Sequence, residues 1–467
     1  MSRTECLAEA ARYFDSGDFF ADLARRVAYR TEGDLDIAPP ALGDYLQDEI
    51  QPSLDRLGFT SEVWQNPVSG KGPLLLARRI EDPTLPTVLT YGHGDVVSGQ
   101  ESRWNPGLSP WTLQADGDRW FGRGTADNKG QHTINFAGLK CALEARGGRL
   151  GYNVSVLIET GEEAGSPGLH AVCSEHRDAL RADLLLACDG PRVHAQSPTL
   201  FLGSRGAVNF SLRHRARDKA YHSGNWGGVL VNPATVLAHA FASMVDRRGS
   251  ILVQGLRPDG IPDSVRAALR EVHVGGGDDD PAIDPNWGEP TLSPAERLMA
   301  WNTIEILAAH AGSPQRPINA IPSEAVLHCQ LRYVAGSAGA QLEPLLREHL
   351  DAHGFTDVEV NVRSAGAATR LDLANPWIEW VCQSVRNTCH KVPTVLPNLA
   401  GSLPNDVFSD VLKLPTVWVP HSYPACAQHA PNEHLLASTA REGLQLMAGL
   451  YWDLGEPGSP PWQTGRV

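Results

Sequence analysis

The chain has 467 residues, 42% apolar and 20% charged, and a formal net charge of −14 from 40 basic and 54 acidic side chains. Such a length accommodates two or three domains around a large core, the acidic balance without a basic stripe argues against a nucleic-acid partner, and no apolar run approaches the ~20 residues of a membrane-spanning helix. Eight cysteines lie scattered without a CxxC pair and the N-terminus lacks a basic-then-apolar leader, so reduced thiols and a cytoplasmic setting are expected.

Apolar residues recur at helical spacing over 8–29 and 41–57, with Pro39-Pro40 between them. Segments 72–78 and 87–91 read as strands, 129–145 as a helix, 152–160 as a buried strand, the stretch from about 168 as a helix, and 183–188 as a strand. This alternation predicts an α/β fold with a central, mostly parallel sheet flanked by helices. The character changes after Arg205: an alternating strand at 207–215, a Gly-rich turn at 221–228, a helix at 232–245, a strand at 325–334, a helix at 342–352 and a strand at 358–362. Between them, Asp278-Asp279-Asp280 lacks the alternating ligand spacing of a calcium loop and reads as solvated. Beyond about residue 366 come a helix at 376–388, a strand at 415–419 and a last helix at 434–452. The expected organisation is an α/β domain formed by 1–205 and 365–467, interrupted by an inserted α+β domain at 206–364.

Polar residues suited to metal chemistry gather at the predicted strand ends. His93 and Asp95 follow the strand at 87–91 and, two apart, project to one side; a metal ligand with an orienting carboxylate and a plain polar turn explain them about equally. The strand at 154–158 runs into Glu162-Glu163, a pair that is either a solvated acidic loop or held beside something positive. Asp189 ends the strand at 183–188, and His429 lies shortly before the last helix. In Gly122-Arg-Gly-Thr-Ala-Asp127 the sixth position is Asp where a dinucleotide loop wants Gly, and no strand is predicted close before it, so a nucleotide loop is rejected. Asp127 stands at a helix entrance, as a cap or as a ligand. Ligand sites in open α/β sheets collect at the C-terminal strand edge, where three of these positions fall.

Seven stretches, in order along the chain, resemble those of the dinuclear zinc metallopeptidase superfamily of carnosinases, cytosolic dipeptidases, glutamate carboxypeptidases, aminoacylases and acetylornithine or succinyl-diaminopimelate deacylases. They are His93-Gly-Asp95, 122–130, Glu159-Thr-Gly-Glu-Glu163, Asp189-Gly190, His222-Ser-Gly224, Asn319-Ala-Ile-Pro322 and His429-Ala-Pro-Asn-Glu433. The resemblance implies that His93 and Asp189 hold one metal, Glu163 and His429 the other, and Asp127 bridges them, with a cis peptide after Asp127. The cofactors it implies are two divalent ions, zinc by default, although a carboxylate-rich set also suits manganese or cobalt. Between the ions a shared water would ionise near neutral pH and supply the hydroxide nucleophile, with Glu162 as general base and Asp95 orienting His93. His222 would reach into the partner subunit's site to stabilise the oxyanion, which implies a homodimer formed through the inserted lid domain; Asn319 would also act across that interface. Arg332 matches a carboxylate-gripping position, and Gly401-Ser402 the loop that receives the substrate.

One stretch departs from the pattern. The dipeptidase branch carries Arg-Glu-Gly-Gly-Ser-Ile-Pro where this chain reads Asn398-Leu-Ala-Gly-Ser-Leu-Pro404, losing two charges and one glycine. That points to a less polar pocket suited to an aryl or N-acyl group. The expected activity is metal-dependent hydrolysis of a peptide or amide C–N bond in a small substrate, a dipeptide or N-acyl amino acid. The competing readings are a deacylase or aromatic amidohydrolase, and a metal-binding relative without turnover. Against the last stands Glu162, a base that a retired enzyme has no need to keep.

Overall fold

A computed structural model describes residues 2–33, 35, 37–276, 280–313 and 315–462. Gly277, Asp278 and Asp279, most of the Gly/Asp-rich break, lie outside them.

An eight-stranded sheet runs in the spatial order Thr60–Trp64, Leu74–Arg79, Asn153–Glu159, Thr87–His93, Leu184–Ala187, Thr416–Trp418, Thr199–Phe201, Thr394–Leu396. Its four central strands, from Asn153–Glu159 to Thr416–Trp418, are mutually parallel. These strands carry near-continuous apolar runs because both faces are covered, as in parallel sheets generally: every residue of Asn153–Glu159 and Thr87–His93 is buried. One face packs against helices Arg3–Asp15, Lys129–Ala145, Pro376–Cys389 and Ala437–Leu454 through Ile134, Val154, Val381 and Leu444. On the other face, Leu157, Leu185 and Trp418 meet Leu169, Val265 and Met299. The mostly parallel central sheet flanked by helices is thus as expected.

A second sheet is fully antiparallel, in the order Thr303–His310, Glu324–Tyr333, Gly206–Arg215, Glu359–Gly366. Helices Pro233–Met244 and Leu342–Ala352 cover it through Leu237, Met244, Leu346 and Leu350, which pack on Phe210, Leu212 and Leu331 as a separate core. A short ribbon pairs Tyr221–His222 with Ala320–Ile321.

Three local expectations need correction. The predicted helix at 41–57 is divided into Pro40–Asp44, a π-helical stretch Tyr45–Ile50 and Gln51–Asp55; Pro52 lacks the N–H that a continuous α-ladder needs there. The last helix begins at Ala437, not at 434, because His434–Leu436 pairs as a strand with Arg119–Phe121. Asp118, on that strand's own turn, caps the helix by accepting the Ser438 N–H at 2.7 Å. Finally, Arg119–Phe121 does stand immediately before the 122–127 loop, contrary to the expectation of no nearby strand. Among the described residues no helix is long and apolar enough to cross a membrane, and all eight cysteines are free thiols.

Candidate metal centre

Parallel pairing aligns strand ends. His93 sits in register with Glu159, and Val88 with Leu184, so the turns carrying His93, Glu162-Glu163 and Asp189 open along one sheet edge. Asp127 arrives from a different direction, on the loop that enters helix Lys129–Ala145. That loop is folded back tightly: a Cβ on Gly130 would lie 1.9 Å from the Thr125 carbonyl oxygen, so only glycine fits. The Asp127–Asn128 peptide is cis. The Asn128 side chain donates to the Cys188 carbonyl at 2.9 Å, tying the loop to the strand that ends at Asp189.

Around Asp127 the side chains converge. One carboxylate oxygen lies 3.0 Å from His93 Nε2 and the other 3.0 Å from His429 Nε2. His93 Nε2 is 3.7 Å from Asp189 Oδ2, and His429 Nε2 is 2.9 Å from Glu163 Oε2. The result is two ligand groups, His93–Asp127–Asp189 and Asp127–Glu163–His429, whose donor atoms lie within 4.8 Å of one another in each. Glu162 belongs to neither; its Oε2 stands 3.9 Å from His93 Nε2, and its side chain keeps 18% of its exposure. Gln428 also hydrogen-bonds to Asp127.

Electrostatics agree with a cationic occupant. Burial, together with the negative charges of Asp189, Asp127 and Glu163, pushes the Glu162 carboxyl well above its ordinary range despite the opposing pull of His93. Burial and the charge on Asp127 raise Glu163 to about 7 and Asp189 to about 6. Burial opposes charge on His93, but hydrogen bonds to Asp127 and Asp95 outweigh it and lift that ring. Four carboxylates around two imidazoles stay crowded unless a cation joins them. Asp189 Oδ2, buried and without a hydrogen-bond partner, is an acceptor left free for such an ion. The residues therefore fit divalent metal, with His and carboxylate donors of the kind zinc, manganese and cobalt take.

Asp95 does more than face His93. The ring's Nδ1 lies 3.0 Å from the Asp95 backbone carbonyl and 3.4 Å from its carboxylate. The carboxylate itself accepts the N–H groups of Glu162 and Glu163, at 3.2 and 3.0 Å, and so holds the acidic turn.

Sequence reasoning gave no role to two buried acids. Glu433 accepts hydrogen bonds from Arg123 Nη1 at 2.8 Å and from the backbone N–H groups of Gly124, Ala126 and Asp127 at 2.9–3.1 Å. It clamps the Asp127 loop to the loop that bears His429. Glu159, raised to about 7 by burial and by Asp95, accepts from Tyr91 at 2.6 Å and Ser166 at 2.9 Å and fixes the other end of the Glu162 turn. Both stand at one end of a stretch that carries the resemblance, Glu433 four residues after His429 and Glu159 four before Glu163, and that place was their signal.

The remaining expected residues form two further groups. Arg332 Nη1 donates to Ser402 Oγ at 2.7 Å, beside Gly401 on the 398–404 loop. His222 and Asn319 come together on the short ribbon, where the Asn319 carbonyl accepts the Ser223 N–H at 2.8 Å. His222 is exposed and its Nδ1 accepts the Gly224 N–H at 3.1 Å; among the described residues no hydrogen bond or ion pair joins it to the metal cluster.

A mostly parallel sheet whose edge presents two ligand groups sharing one carboxylate places the chain among α/β proteins built to hold divalent metal. A family model described as peptidase family M20/M25/M40 matches residues 89–453, and the chain belongs to that family. It is 34% identical over 187 residues to the Beta-Ala-His dipeptidase of Rattus norvegicus, a stretch spanning 39% of this chain and only 37% of that relative. Over 407 residues it is 26% identical to a Cys-Gly metallodipeptidase of Schizosaccharomyces pombe, covering 80% of this chain and 81% of the other. Its fold matches an M20 family metallo-carboxypeptidase from Sulfolobus solfataricus with a TM-score of 0.81 at 20% identity, over 94% and 99% of the two chains.

Proposed function

We propose that this chain is a divalent-metal-dependent hydrolase that cleaves the C–N bond of a small substrate, a dipeptide or N-acyl amino acid. The observation that carries the reading is Glu162, a carboxyl group at the mouth of two ligand groups joined by Asp127 and a member of neither. Bound ions, zinc by default and manganese or cobalt as alternatives, would be held by His93, Asp127 and Asp189 and by Asp127, Glu163 and His429, supplying Lewis acidity that acidifies water and polarises a carbonyl. Glu162 takes the proton of the attacking water and returns it to the leaving nitrogen as the C–N bond breaks. Asp95 keeps Glu162 in place through the backbone of the acidic turn. Arg332, with Ser402 and the Gly401 backbone beside it, grips the substrate carboxylate.

Residues 206–364 act as an inserted lid and dimerisation domain between the two parts of the catalytic domain, 1–205 and 365–467. Support comes from the edge strand Thr303–His310, which leaves Ile306 43% and Leu307 60% exposed in the single chain. In that dimer His222 and Asn319 serve the partner's site, and His222 polarises the oxyanion. Free thiols throughout suit a reducing compartment such as the cytoplasm.

Glu162→Gln tests the reading. The variant should bind the same quantity of metal by elemental analysis while turnover of dipeptides and N-acyl amino acids falls about 10²–10⁴-fold; undiminished turnover would remove Glu162 as the base. His222→Ala should also lose rate, and mixing it with Glu162→Gln chains should restore activity in heterodimers. Mixed dimers that stay inactive would rule out donation across the interface.

A further inference from the structure

An apolar cavity of about 250 Å³ opens beside the Asp189 strand end. Its wall includes Pro191 and Val193, just past that ligand, together with Phe201, Met299, Leu399 and Ala400. Gly190, the residue between that ligand and Pro191, packs closely on the wall: a Cβ placed on it would lie 3.2 Å from the Phe201 ring and 3.4 Å from Leu399. Leu399 and Ala400 are two of the four positions at which the 398–404 loop departs from the dipeptidase pattern.

The one buried charge among the described lining residues is already balanced. Arg192 lines the cavity, but its guanidinium is paired with Glu442 at 2.7 Å and donates to the Ala195 carbonyl at 2.9 Å. Its Nη2 is buried without a partner, one donor in an otherwise apolar wall. Small-molecule sites are commonly built this way, with apolar walls and a few placed polar groups. The other ionisable lining residues, His273 and Asp280, are in contact with solvent. A dry apolar cavity of about 150 Å³ already takes a benzene ring, so this one has room for a ring and its linker. Ser402, at the far end of the same short loop, meets Arg332. One loop thus touches Arg332 at one end and an apolar chamber at the other, and the chain just past Asp189 forms part of the chamber wall.

We propose that this cavity receives an apolar, uncharged acyl group, aromatic or branched aliphatic, attached to the scissile carbonyl, so that the preferred substrate is an amide with a hydrophobic acyl half and a carboxylate on its amine half. The proposal rests on the hydrolase reading above, and the test separates the two. Metal-loaded protein is assayed with N-(3-phenylpropionyl)-alanine and N-propionyl-alanine, which differ only in the ring. The expected kcat/KM ratio is at least roughly tenfold in favour of the ring, as apolar pockets deliver. It should fall towards one in Ala400→Phe, which fills the chamber from a partly exposed position, and in Leu399→Glu, which charges it. Hydrolysis of both compounds with a ratio near one, or a ratio unchanged in both variants, overturns the cavity assignment and leaves the hydrolase standing. If neither compound is cleaved, turnover of dipeptides decides the hydrolase reading, which falls if they too are left intact, and calorimetric binding of the same two compounds decides the cavity. Roughly tenfold tighter binding of the ring compound, lost in Ala400→Phe, supports it; equal binding overturns it.

Discussion

The two ligand groups share Asp127 yet are built differently. On one side, His93 and Asp189 have side chains 0% and 4% exposed and stand on the ends of parallel strands. On the other, His429 is 52% exposed and sits on a loop where Ala427, His429 and Asn432 all take left-handed backbone angles without being glycine. Such angles are uncommon for side-chain-bearing residues and persist only where the surroundings enforce them. Here Asn432 accepts the Asn105 N–H at 2.8 Å, and the His429 carbonyl accepts from Gln100 at 3.2 Å. The contrast teaches that the strand ends supply dry donors, Glu163 at 3% exposure among them, while a braced loop supplies the one imidazole of the two groups that solvent can reach.

The bluntest way to break this comparison is to remove what the halves share. Asp127→Ala should deplete both groups, lowering metal content below one ion per chain by elemental analysis and turnover by about 10⁴-fold, the upper end for a positioned catalytic group. Retention of one tightly held ion would show that the halves are independent. Glu433→Gln attacks the clamp between the loops. With Arg123 left buried and unpaired, the metal-free protein should lose about 3–5 kcal/mol in urea unfolding, and metal affinity should weaken ~10–100-fold. A loss of affinity without a loss of stability would mean that Glu433 does not brace the fold.

A finer cut sets His93→Ala against His429→Ala. The first should cost the metal-free protein about 1–3 kcal/mol, because buried partners lose their hydrogen bonds, and the second distinctly less. Equal costs would erase the distinction between the dry and the exposed imidazole. The smallest effect belongs to Arg332→Ala, which should raise KM about tenfold for substrates with a free carboxylate; an unchanged KM would refute the clamp.

Much of this was legible in the sequence where local pattern and final structure obey the same rule. Helix Lys129–Ala145 has the span expected of it, and the apolar runs of Thr87–His93 and Asn153–Glu159 declare central strands. Polar residues directly after such runs, His93, Glu162, Glu163 and Asp189, had to fall together once the strands were parallel. Thr199–Phe201 and Thr394–Leu396 escaped because three residues carry no period. Thr303–His310 escaped because an edge strand exposed along most of its length does not alternate. His434–Leu436 continues the helical spacing that follows it and becomes a strand only because Arg119–Phe121 is there to pair with. The role of Glu433, though not its place beside His429, was hidden for a similar reason: its partners at 123–127 lie more than 300 positions earlier in the chain.

That long reach has a consequence for biogenesis. Strand Thr416–Trp418 lies between Leu184–Ala187 and Thr199–Phe201, and His429 and Glu433 follow it. A chain emerging from the ribosome therefore carries an unfinished sheet with a bare flank until residue 418 is free, an invitation to misassociation that nascent-chain chaperones exist to cover. It also exposes a nest of acids that lacks its last imidazole. The second ligand group is complete only once His429 has emerged, and truncation anywhere before it should leave that group without its imidazole.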